Sequence, residues 1–298
     1  MRSTAAGAAL CYHRVGDPQG RPGFELVPAL GTRAFVRQLR LLRAHFRLVR
    51  AGELREAVAA RRRASAIPLA VTFDDDLACH VRTAELLSAE RVPATFFLGG
   101  TSLAGPRTFF WDALQAALDA GLAPDDPVLP RVPDPRGPGG VHRLADAIRG
   151  LEKPVRDQLT AALLERADGV PRDPGLRAAA VERLARSGFE LGFHTRDHES
   201  LDLLGDGELT AALRTGRSEL EDIAGRSLRT IAYPFGRADV RVAAAARAAG
   251  FAAGFTLAAR PVSIADDPLL LGRFQPSFTS AAHTAVELGR RLAGVGRS

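Results

Sequence analysis

The sequence predicts an α/β protein, a distorted (β/α)7-8 barrel with parallel strands inside and helices outside. Apolar runs of strand length recur along the 298 residues at 8–12, 46–49, 69–73, 94–98, 189–193, 230–233 and 251–257. Amphipathic helical patterns lie between several of them, and strands alternating with helices build a parallel sheet covered by helices. Seven or eight such units in a chain of this length point to a closed barrel more than to an open sheet.

Taken in order, the run 8–12 opens the barrel. Thr32 stands where it would cap a helix in which Phe35, Leu39, Leu42 and Phe46 recur at helical spacing. The run 69–73 is continuous, apolar and β-prone, as a buried strand requires. After 94–98 the alternation breaks between about residues 106 and 175, where Pro124, Pro127, Pro130, Pro133, Pro135 and Pro138 precede helical stretches near 141–149 and 154–167. Its thin apolar content reads as an insertion on a single barrel domain spanning 1–298 rather than as a second domain. Beyond it, helices over 207–224 and 238–249 end at Gly225 and Gly250.

Composition narrows the function. With 46% hydrophobic and 25% charged residues the chain is globular. Cys11 and Cys79 form no CxxC pair and no disulfide framework, so both are expected as buried thiols. Residues 1–9 carry no apolar run of signal-peptide length, and no stretch approaches the ~20 apolar residues of a membrane span, so a cytoplasmic protein is expected, with cell-envelope association as the alternative. The net charge of +6 is almost entirely arginine, Lys153 being the only lysine, and no basic block interleaves with aromatics. That pattern reads as solvated helix faces and argues against a nucleic-acid partner. Oligomeric state leaves no mark in the sequence.

Chemistry concentrates at strand ends. Val71-Thr72-Phe73-Asp74-Asp75-Asp76 places three carboxylates after a buried strand. Their repulsion and desolvation call for a bound cation or a cationic partner, unless the segment is a solvated turn capping the next helix. Gly192-Phe193-His194-Thr195-Arg196-Asp197-His198 also follows a strand, and its histidines at i and i+4 share one face if a helical turn begins at Thr195. In a parallel barrel the strand C-termini share one mouth, which would gather His13, Asp74 to Asp76, His194 and Tyr233-Pro234-Phe235-Gly236 there.

With these motifs in place, the chain resembles the polysaccharide deacetylases, the NodB homology domain of carbohydrate esterase family 4. The resemblance rests on Thr72-Phe73-Asp74-Asp75 and His194-Thr195-Arg196-Asp197-His198 and extends to Leu10-Cys11-Tyr12-His13-Arg14-Val15, Val92-Pro93-Ala94-Thr95-Phe96-Phe97-Leu98 and Ala232-Tyr233-Pro234-Phe235-Gly236. It implies a catalytic base at Asp74 and metal ligands at Asp75, His194 and His198. The metal would be divalent: zinc first, with cobalt, nickel or manganese as alternatives. The physical logic agrees, since one carboxylate and two imidazoles leave open positions on the ion for catalysis. Tyr233, Pro234 and Gly236 are expected to contact substrate, a backbone N–H near Tyr233 holding the oxyanion. Family members related to the poly-N-acetylglucosamine deacetylases are circularly permuted and carry the acid histidine in an early Tyr-His element, which Tyr12-His13 matches. His283, the late candidate, lies in what reads as a terminal helix.

The chain departs from the family pattern in several places. Asp76 replaces the usual glycine, so it must avoid a positive φ or adopt one at a cost; its side chain would cap the next helix or stand behind the metal. Arg273 is expected either to hold Asp74 ionised in place of the family arginine, which is Ala232 here, or to form a surface salt bridge. The family's Asp-Trp element is absent and Trp111 lies in the insertion. The expected activity is removal of N-acetyl groups from an amino-sugar polysaccharide or glycoconjugate. The alternatives are a deformylase or amidase acting on a sugar-nucleotide or lipid-linked sugar, and a catalytically silent carbohydrate-binding barrel. A phosphoryl-transfer site is disfavoured because its usual strand-end lysine is missing.

Overall fold

The computed structural model describes residues 6–17, 24–62, 64–103, 105, 108–169, 173, 175–277 and 281–294. Its strands are β1 (Ala6–Tyr12), β2 (Phe46–Val49), β3 (Ile67–Asp74), β4 (Thr95–Leu98), β5 (Glu190–Phe193), β6 (Thr230–Ala232), β7 (Ala253–Phe255) and the short β8 (Val262–Ser263). They form one curled sheet in the order β7-β6-β5-β4-β3-β1-β8, all parallel except β8 against β1. One edge of β3 serves two partners, β2 along 67–70 and β4 along 72–74. The edges of β7 and β1 are joined by residues 271–274: Leu271 bonds with Gly254 and Thr256, and Phe274 with Ala9 and Cys11. That segment has no strand-like periodicity, yet it draws the sheet toward a barrel.

Strand alternation decides what faces inward, because successive side chains point to opposite faces. Leu69, Val71 and Phe73 face the helices, in one cluster with Phe35, Leu39 and Leu42 of α1 (Thr32–His45). Ala9, Ala70, Phe97, Ala232, Phe255 and Leu271 make a second cluster inside the barrel. Three of these are alanines, which leaves room for larger groups from neighbouring positions. Asp74 shares the parity of Ala70, and His13 that of Ala9.

The outer layer continues with α2 (Leu54–Ala59) and α3 (His80–Ala89). Residues 110–166 form α4 (Phe110–Asp119), α5 (Gly140–Arg149) and α6 (Lys153–Arg166), which gather an apolar cluster of their own around Leu114, Leu144, Ile148 and Leu163. Phe235 of the barrel mouth packs against it. Then follow α7 (Ala178–Arg186), α8 (Asp206–Ala212), α9 (Arg217–Ala224), α10 (Val240–Ala248) and α11 (Ala281–Gly294). Two local expectations change. Thr32 begins α1 without capping it, Gly31 being the N-cap residue, and the helix expected over 207–224 divides at Gly216, whose φ of 81° breaks the helix. Gly225 and Gly250 have positive φ past α9 and α10, as expected of helix-ending glycines. Among the described residues, no helix is long and apolar enough to cross a membrane.

Candidate active site

The strand C-termini open into a cavity of about 630 Å³ whose walls include His13, Asp74, Asp75, His194, His198 and Trp111. Asp74 ends β3 and points into the barrel. Arg273, completely buried, donates from Nη1 to Asp74 Oδ1 and from Nη2 to Oδ2, both at 2.6 Å. Its remaining donors reach Thr72 Oγ1 at 3.1 Å and the Thr256 carbonyl at 3.2 Å, and its guanidinium lies 5.6 Å from the Phe97 ring centroid. Phe97 sits close to β5, where a Cβ on Gly192 would fall 2.4 Å from the ring; glycine is required there. Burial pushes the Asp74 carboxyl up, but the charge and hydrogen bonds of Arg273, together with the neighbouring His194 and His13, outweigh it and hold the pKa at about 2. Of the two expectations for Arg273, the structure shows the pairing with Asp74.

Asp75 begins the turn, with φ of 72°. Its Oδ1 is buried and makes no hydrogen bond among the described residues, yet His194 Nε2 and His198 Nε2 stand 3.4 and 3.3 Å away. His194 donates from Nδ1 to the Ala232 carbonyl at 2.7 Å, which fixes the tautomer and leaves the Nε2 lone pair facing Asp75. The three side chains bring ligand atoms within 4.8 Å of one another. Convergent donors without mutual hydrogen bonds fit a divalent cation, with room for further ligands on the cavity side. Burial raises the Asp75 carboxyl, but the two imidazoles outweigh it and hold it well below the carboxylate range. Burial lowers His194, which the Asp74 and Asp75 charges overcome, whereas burial prevails at His198. No helical turn joins the histidines. Thr195 and His198 have φ of 57° and 49°, so HxxxH converges here through a loop of left-handed residues.

Asp76 does not take the helix-capping role expected of it. Its φ is not positive; the left-handed residue is Asp75, one position earlier. The Asp76 carboxylate accepts from the backbone N–H groups of Gly99, Gly100 and Thr101 at 3.1, 3.3 and 2.6 Å. It does not cap α3, whose N-cap residue is Cys79. Its function is to fasten the loop after β4 to the acidic turn. His80 supports the same turn from α3, donating from Nε2 to the carbonyls of Asp74 and Asp75 at 3.0 and 3.1 Å; burial keeps its pKa low.

His13 lines the cavity beside Asp74, its Nδ1 4.0 Å from Cys11 Sγ, which in turn lies 3.4 Å from Asp74 Oδ2. His283 lies on α11, at an exposed position. The oxyanion expectation is corrected at Tyr233: its N–H donates to the Phe255 carbonyl at 3.0 Å and its hydroxyl to the Leu269 carbonyl at 2.8 Å. Pro234 has no N–H and that of Gly236 bonds back to the Tyr233 carbonyl, so an amide donor from this turn falls to Phe235, whose φ is 57°. Gly236 and Phe235 do line the cavity. Trp111 also reaches the site, its ring 4.7 Å from that of His198, and Arg149 of α5 lies 5.2 Å over Phe235. Neither contact has a sequence signature, because each depends on how α4 to α6 fold back over the mouth.

Comparison with known proteins agrees with the geometry. Residues 159–254 match the family model described as polysaccharide deacetylase, a span that holds both histidines and the Tyr233 turn. The whole chain has the fold of solved polysaccharide deacetylases. It is similar to the Streptococcus pyogenes deacetylase PplD in complex with acetate (14% identity, TM-score 0.65, 96% of this chain and 98% of that chain covered). It is also similar to IcaB from Ammonifex degensii (21%, 0.61, 95% and 96%) and to a de-N-acetylase from Aggregatibacter actinomycetemcomitans (15%, 0.60, 95% and 99%). No curated protein matches the chain. The histidine motif and the Tyr233 turn of the family resemblance thus fall within the matched span, and the fold is that of the same family; the acidic motif lies outside that span.

Proposed function

We propose that this protein is a metal-dependent amidase that removes N-acetyl groups from an amino-sugar polysaccharide or glycoconjugate. The observation that carries the reading is the convergence of Asp75, His194 and His198 on one point of the cavity, directly beside the buried Asp74–Arg273 pair. The polysaccharide deacetylase match supports the substrate class.

Asp75, His194 and His198 would hold the ion, for which two imidazoles and a carboxylate suit zinc. When bound, it supplies Lewis acidity toward a water molecule and the amide carbonyl. Asp74 then removes the proton from the attacking water; Arg273 keeps it ionised and fixes its orientation. The Phe235 N–H would donate to the oxygen on which charge develops. His13, at the end of the neighbouring strand β1, delivers a proton to the departing amine. The rings of Trp111 and Phe235 shield the His198 side of the cavity from water.

The test is acetate release by zinc-reconstituted protein from N-acetylglucosamine oligomers, peptidoglycan fragments and acetylated xylan. Release from the N-acetylated sugars supports the reading. Formate release from N-formylated sugars without acetate release would replace it with a deformylase, and saccharide binding without turnover with a silent barrel.

A further inference from the structure

We infer that the helical insertion is part of the metal centre, with Arg156 of α6, acting through Glu199, and Trp111 of α4 setting the position of His198. This rests on reading Asp75, His194 and His198 as metal ligands.

The two imidazoles are held in unlike ways. His194 has the backbone partner that ordinarily orients a metal-binding histidine, the Ala232 carbonyl at Nδ1. His198 has no equivalent, for its buried Nδ1 makes no hydrogen bond among the described residues. Its backbone is in the left-handed region at φ 49°, a conformation that costs a residue with a side chain free energy and is held by its surroundings.

Those surroundings come largely from the insertion. The His198 ring lies 4.7 Å from Trp111 and 5.6 Å from Phe109, two rings themselves stacked at 4.3 Å, with Phe235 4.6 Å away on another side. Packing of this kind confines the plane of the imidazole but does not fix the backbone beneath it. The next residue does. The Glu199 carboxylate is paired with Arg156 Nη2, and the two side chains are only 16% and 12% exposed. Arg156 Nη1 is held in turn by the carbonyls of Arg149 at 3.2 Å and Leu151 at 3.4 Å, at the end of α5. One guanidinium thus ties α5 and α6 to the loop that carries His198. Without it, Glu199 becomes a half-buried charge without its partner and the left-handed residue relaxes, withdrawing Nε2 from its place 3.3 Å from Asp75 Oδ1.

Arg156 and Glu199 are positioning residues, so the readout is metal binding itself. Zinc affinity, by competition with a chromophoric chelator, and the visible spectrum of the cobalt-substituted protein are measured for wild type, Arg156→Met, Glu199→Gln, Trp111→Ala and Trp111→Phe. Lys153→Gln is the control, because its pair with Asp157 lies on the same helix but is exposed. Expected are about 10–100-fold weaker zinc binding and a changed cobalt spectrum in the first three variants. Arg156→Lys and Trp111→Phe should recover much of the loss, and the Arg156→Met/Glu199→Gln double variant should bind no worse than either single one. Wild-type affinity and spectrum in folded Arg156→Met and Glu199→Gln overturn the inference while the ligand assignment stands. Failure of the wild type to bind either ion stoichiometrically overturns the ligand assignment and this inference with it.

Discussion

Replacing Arg273 with methionine removes the only arginine or lysine that, among the described residues, is paired with the proposed base, and leaves the rest of the site in place. Asp74 loses two 2.6 Å charge-assisted hydrogen bonds and becomes a buried carboxylate without a counter-ion. Relaxation of its pKa from about 2 to the ordinary 3.8 alone corresponds to about 2 kcal/mol, and burial drives it higher still. Breaking a buried pair by removing one partner costs about 3–5 kcal/mol, and that loss is expected in urea denaturation near neutral pH. The pH dependence has a definite sign. In wild type the folded-state pKa of Asp74 is depressed, so its contribution is complete above 3.8 and is lost as pH falls from there through about 2. In Arg273→Met the pKa is raised, so a penalty present at neutral pH is relieved as the carboxyl protonates. The stability gap between the two proteins should therefore narrow as pH falls, and the acidic limb of acetate release should move to higher pH in the variant. A gap that stays constant or widens on acidification refutes the account of the pair.

Three further outcomes follow from the same geometry. Asp74→Asn should keep zinc affinity, measured by chelator competition, while acetate release drops about 10²–10⁴-fold, the usual weight of a general base. Asp76→Gly, although it restores the residue usual in the family, should lower stability by about 1–3 kcal/mol in urea denaturation, because three backbone N–H groups, two of them buried, lose their acceptor and no positive φ is relieved. Tyr233→Phe should cost about 1 kcal/mol through the lost bond to the Leu269 carbonyl and leave the KM for acetyl-sugar unchanged; a large rise in KM would return its hydroxyl to the cavity.

Much of this arrangement was legible in the sequence, and the reason is periodicity. β3 and β5 read as apolar runs, and residues at strand ends of a parallel barrel share one mouth, which gathers His13, Asp74, Asp75 and His194; His198 was legible only through the family resemblance, because the helical turn its spacing suggested is not formed. Arg273 was legible only as a candidate: residues 271–274 join β7 to β1 through a few backbone bonds, and such a short segment has no period to read. The insertion's contribution was not legible. Trp111 meets His198, and Arg156 meets Glu199, across 87 and 43 positions of chain, by packing that no local pattern encodes. Asp76 misled for a related reason. A glycine-to-aspartate change suggests backbone strain or added charge at the metal, whereas the carboxylate found its partners in the loop after β4.

The most direct test of the central claim is acetate released per mole of protein from an N-acetylglucosamine oligomer, with one equivalent of zinc present. Repeated turnover by wild type, with none by Asp75→Ala or His198→Ala, is the predicted result. A wild-type protein that binds its zinc and the oligomer yet releases no acetate would contradict it.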